Sequence, residues 1–143
     1  MERQEKVIER GLRTWLLILL VGNLIFVGVG LYSGIYHAVQ MGISDHPLLQ
    51  IATGITCILN VSLIYLVFRQ KKWSAYALVA GLGIASVLFA LSVFAAVEPT
   101  DSPEDKAMTV PFTVIIFLIG LVITIVSARV LRPVMRKPSR YKI

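Results

Sequence analysis

Four long apolar runs, separated by short polar stretches, set the plan of this chain. The first covers roughly residues 14–36 and reads TWLLILLVGNLIFVGVGLYSGIY. The others cover roughly residues 48–68, 73–97 and 109–130. About 20 apolar residues make one helical crossing of a bilayer, so each run predicts a transmembrane helix. Hydrocarbon offers no water to backbone amides and carbonyls, and a helix satisfies them internally. Short connections make successive helices antiparallel. The expected fold is an all-α integral membrane protein, a four-transmembrane-helix antiparallel up-down bundle. It forms a single membrane domain over residues 1–143 and ends in a basic tail, residues 131–143.

The edges of the runs carry further expectations. Residues 2–13 are charged and read as a helical extension of the first span, because Glu9 and Arg13, like Ile8 and Leu12, are four apart. The apolar run that follows is too long for a signal peptide and ends in no small-residue cleavage site, so it reads as an uncleaved anchor. Trp15 and, at the other end, Tyr32 and Tyr36 suit the interfaces. An outer loop is expected over residues 37–47, holding His37, Asp45 and His46, with Asp45 as cap and Pro47 in the first turn of the second span. A tight turn, Arg69-Gln70-Lys71-Lys72, leads to the third span, with Trp73 and Tyr76 at the interface. A second outer loop is expected over residues 98–106. It contains Glu98, Asp101, Glu104 and Asp105, a solvated acidic run. Pro111 is placed in the first turn of span four, and Pro133 and Pro138 are each expected to stop a helix.

Composition agrees with this plan. The chain has 143 residues, 57% hydrophobic and 15% charged, against about 45–50% apolar and roughly 25% charged for soluble domains. Of the 14 Lys and Arg residues, four precede the first span, three lie in the middle turn, six lie from Arg129 to the end, and only Lys106 on the other side. That bias predicts both termini in the cytoplasm, in a bacterial inner membrane. The net charge of +6 does not imply nucleic acid, because it sits in short juxtamembrane stretches. Arg69, Lys71, Lys72, Arg132, Arg136, Lys137 and Arg140 are the residues expected to meet anionic lipid headgroups or a partner, at roughly 1 kcal/mol per basic residue near the surface.

No Asp, Glu, Lys or Arg lies deep in any run. Ion-coupled transporters and proton relays usually keep such a group at membrane depth. What remains is neutral polarity at helical spacing: Asn23, Val27, Gly30, Gly34 and His37 in the first run, and Thr53, Thr56 and Asn60 in the second. Ala77, Gly81, Ala85 and Ser92 follow in the third, and Thr113, Gly120, Thr124 and Ser127 in the fourth. Lipid tails are as apolar as Leu, so helices associate through close packing of small residues and a few hydrogen bonds. Asn23, Gly30, Gly34, Asn60, Gly81, Ala85, Gly120 and Thr124 are therefore the expected helix-packing or polar-lining positions. Asn23 and Asn60 fall at similar depth, at about 1.5 Å per residue, and pairing would relieve the penalty of exposing an amide to lipid.

No catalytic, cofactor or metal constellation can be assembled. Cys57 is the single cysteine and reads as a small packing residue. His37 and His46 read as interfacial residues. The function expected is that of a non-catalytic accessory or assembly subunit of a larger membrane complex, with lipids and other membrane subunits or copies of itself as partners. The alternatives are a small homo-oligomeric channel or transporter with a neutral polar lining, and an immunity-type membrane protein.

Overall fold

The computed structural model describes residues 2–69, 71–96 and 102–136. Four helices follow in chain order: α1 (Glu2–Met41), α2 (Asp45–Phe68), α3 (Lys72–Ala95) and α4 (Pro103–Arg136). All four are long and apolar enough to cross a membrane. They number 40, 24, 24 and 34 residues. At about 1.5 Å per residue the shortest measure some 36 Å, enough for a hydrocarbon core of about 30 Å.

Each helix runs antiparallel to the next, and the contact register proves it. Gly30 of α1 meets Gly54 of α2, while Asn23 meets Asn60. His46 of α2 meets Ser92 of α3, while Asn60 meets Gly81. Gly83 and Ser86 of α3 meet Thr124 and Gly120 of α4 in the same inverted order. The helices pack strongly in sequence order, whereas α1 and α4 touch only weakly. The bundle is thus open along one seam.

The end holding the termini is the packed end. Leu12 and Leu16 of α1, Ile64 and Val67 of α2, Ala75 and Leu78 of α3, and Leu131 and Val134 of α4 interlock there, all fully or almost fully buried. A long list of large apolar side chains faces outward elsewhere, among them Ile25, Val29, Leu59, Ile84, Leu118 and Val122. Helices apolar on every side belong inside a large core or in lipid.

Several boundaries differ from the hydropathy reading. The outer loop expected over residues 37–47 shrinks to Gly42, Ile43 and Ser44, because α1 continues to Met41. Gly42 then stops it at φ +84°, a left-handed conformation that Gly adopts without penalty. His37 and His46 therefore sit on helices. Ser44, not Asp45, is the N-cap of α2, and it makes no side-chain cap bond. Asp45 instead opens the helix, where a carboxylate favours the macrodipole. At the connection between α3 and α4, α4 begins at Pro103, so Glu104 is helical and Pro111 is interior rather than first-turn. Glu98 and Asp101 lie outside the described residues. Pro133 does not stop α4, which continues to Arg136. An interior proline costs about 3 kcal/mol or more. Burial of the flanking Leu131 and Val134, at roughly 1.5–3 kcal/mol each where water is the alternative, offsets it. Pro138 lies outside the described residues.

Candidate functional site

Small residues bring α1 and α2 together. A Cβ on Gly30 would lie 3.0 Å from the Gln50 carbonyl oxygen and 3.1 Å from the Gly54 amide nitrogen. A Cβ on Gly34 would lie 2.8 Å from Ile51 Cγ1 and 3.1 Å from the Ile51 amide nitrogen. Backbone faces backbone at Gly30, and at Gly34 the Ile51 side chain and backbone both stand in the way.

Two turns closer to the packed end, Asn60 Nδ2 donates to Asn23 Oδ1 at 3.1 Å. Asn23 Nδ2 in turn donates to the Leu19 carbonyl at 2.8 Å. Asn60 is wholly buried, and its Oδ1 has no hydrogen-bond partner. That oxygen points at Gly81 of α3, where an added Cβ would overlap it. A close glycine Cα–H is a weak donor, useful where nothing better can reach. The amide thus joins three helices, and Gly81 belongs to this cluster rather than to a packing contact with α4.

The α3–α4 contact centres on Gly120, where a Cβ would collide with the Ser86 side chain. Ser86 Oγ and Thr124 Oγ1 each donate to a carbonyl one turn back, Leu82 and Gly120, at 2.8 Å. Between α1 and α4, Trp15 Nε1 donates to Ser127 Oγ at 3.0 Å, and Ser127 Oγ donates to the Ile123 carbonyl at 2.7 Å. The Trp15–Ser127 bond holds the open seam together by a polar contact.

A second polar cluster lies at the far end of the bundle. His46 Nδ1 is 2.9 Å from the Ser92 carbonyl, His46 Nε2 is 3.1 Å from Gln50 Nε2, and Gln50 Oε1 is 3.2 Å from His37 Nδ1. Ser33 Oγ also reaches His37 Nδ1, at 3.2 Å. The chain closes consistently when both Nδ1 atoms carry the proton and donate, and Gln50 donates from its nitrogen to His46. Gln50 was not among the residues singled out from sequence. Its position four after His46 was the available signal. Among the described residues no group of three or more His, Cys, Asp or Glu is placed to hold a metal ion.

Of the basic positions, Arg69 is exposed, donates from Nε to the Tyr65 hydroxyl at 3.0 Å, and places its guanidinium 5.4 Å from that ring's centre. Lys71, Lys72, Arg132 and Arg136 are exposed at the end with the termini. Lys137 and Arg140 lie outside the described residues.

Below the packed end the bundle is hollow. A cavity of about 390 Å³ lies between all four helices, and the exposed Ile18 of α1 and Ile119 and Ile123 of α4 line it beside the α1–α4 seam. Ala85, Thr53 and Cys57 form part of its floor. Trp15 stands at one end, and the edge-on pair Phe26–Phe89, with centroids 5.0 Å apart, stands at the other. A shallower depression of about 500 Å³ continues the seam toward the termini, past Thr14, Arg129 and Pro133. Compared with protein-family models, with curated proteins and with solved structures, the chain shows no significant match.

Proposed function

We propose that this chain is a non-catalytic integral membrane protein that works through its helix surfaces, as an accessory or assembly subunit of a larger membrane complex. The observation that carries the reading is the condition of α4. Only Ser127, Leu131 and Val134 of its described residues are buried, and the apolar face through Ile115, Leu118, Val122 and Ile125 is open. The polar side chains at the helix contacts support the same reading, because they are used to hold this chain together: Asn23 with Asn60, Ser86 and Thr124 with their own helices. Little remains for chemistry on a substrate. A conducting pore has less support, since Asn60 is buried among α1, α2 and α3 and the cavity opens sideways.

The orientation proposed has both termini in the cytoplasm of a bacterial inner membrane. Arg10 and Arg13, Arg69, Lys71 and Lys72, and Arg129, Arg132 and Arg136 all belong to the end with the termini, and basic residues stay on the cytoplasmic side. Labelling of cysteines placed in the 42–44 turn and in the tail, in intact cells, tests it: the turn should label from outside and the tail should not. For the subunit role, tryptophans at Leu118 and Val122 should release the chain from the complex extracted with it, while the fold survives. Release by neither variant would count against α4 as the docking face.

A further inference from the structure

The α1–α4 seam has the dimensions and the charge of a lipid site. The cavity extends along α1 from Trp15 to Phe26. Eleven residues at about 1.5 Å each give about 16 Å, the hydrocarbon depth of one leaflet. Its walls are almost entirely apolar, and its mouth faces the surroundings of the bundle. The polar atoms nearest it, the Asn23 amide and the Thr53 and Ser86 hydroxyls, already bond within the protein. An apolar occupant therefore displaces nothing polar. The cavity and the depression toward the termini adjoin, because Trp15 and Ile18 line both, with the Trp15–Ser127 bond between them and Ile18 exposed beside it. There Arg129 and Thr14 are reached, at the level where headgroups lie. A guanidinium offers paired donors to a phosphate, and basic pockets between helices on the cytoplasmic side suit anionic headgroups.

We infer that this seam binds an anionic phospholipid from the leaflet on the side of the termini, with an acyl chain in the cavity and the phosphate at Arg129. The inference goes beyond the subunit role and does not depend on it. The lipid completes the bundle where α1 and α4 fail to meet, as a filler that other lipids exchange with slowly.

The test uses the purified full chain in detergent, supplied with phosphatidylglycerol and phosphatidylcholine of matched acyl chains, and read by native mass spectrometry. The wild type should retain one phosphatidylglycerol, preferred about tenfold, as one charge-assisted hydrogen bond allows. Arg129→Gln should remove most of that preference. Gly22 lines the cavity, and a Cβ there meets nothing within 4 Å, so Gly22→Leu should fill the space and expel lipid of either class with helix content unchanged. Ile119→Trp, on the opposite wall, gives an independent block. Equal retention by the wild type and both blocked variants would mean merely annular lipid and overturn the inference. So would an Arg129→Gln variant with undiminished preference, or a dimer that Gly22→Leu converts to monomer, which would make a second copy the occupant.

Discussion

Asn60 donates its side-chain amide to Asn23 across the α1–α2 interface at 3.1 Å, with both side chains buried among apolar helices. Interhelical hydrogen bonds in a membrane contribute about 0.6 kcal/mol on average and up to about 1.7. The pair is better regarded as fixing the rotation of two helices than as a large source of stability. Replacing Asn60 by Leu leaves Asn23 Oδ1 without its donor and should destabilise the fold by about 1–2 kcal/mol, measured by denaturant titration in mixed micelles. Asn23→Leu with Asn60→Leu should be less destabilising than the two single changes summed. Strict additivity would show that the two amides do not interact.

Gly81 depends on the same amide. Gly81→Ala places a methyl group against Asn60 Oδ1 and should cost about 1–3 kcal/mol, the usual range for overpacking. Adding Asn60→Ala removes the obstructing oxygen and should recover part of that loss. No recovery in the double variant would move the conflict to the α3 backbone.

The glycines divide by what surrounds them. Gly30→Ala meets α2 backbone and Gly34→Leu meets Ile51 side chain and backbone, and both should lower the melting temperature and loosen α1 from α2. Gly28→Ala meets nothing within 4 Å and should be neutral or stabilising by up to about 1 kcal/mol, through helix propensity alone. The opposite ranking would place the α1–α2 contact on another face.

Gln50→Ala should remove the hydrogen-bonded bridge between His37 and His46, whose rings lie 5.3 Å apart, and leave the Ser92 carbonyl bonded to His46. Faster hydrogen exchange is expected at the far ends of α1 and α2, with the packed end unaffected. Unchanged protection would make the cluster a surface ornament.

How far the sequence reached can be judged from these same residues. The four helices were legible because crossing hydrocarbon demands about 20 apolar residues, and the Asn23–Asn60 partnership was legible from depth arithmetic alone. The helix ends were not. Residues 37–41 and 103–108 are too polar for a hydropathy window, yet nothing in them opposes a helix, so hydropathy marked the lipid-soluble part and missed the rest. Pro133 misled because the packing of Leu131 and Val134 outweighs one missing amide. The partners of Gln50 and Trp15, and the open α1–α4 seam, depend on how the helices are rotated and ordered. No periodicity within one helix records that.

A chain that acts by contact should leave its own membrane in company, and native mass spectrometry after gentle release tests this. The prediction is a complex in which this chain and other polypeptides occur in fixed ratio, separable by tryptophan at Leu118 or Val122. A lone monomer, or a symmetric oligomer of this chain only, would contradict it.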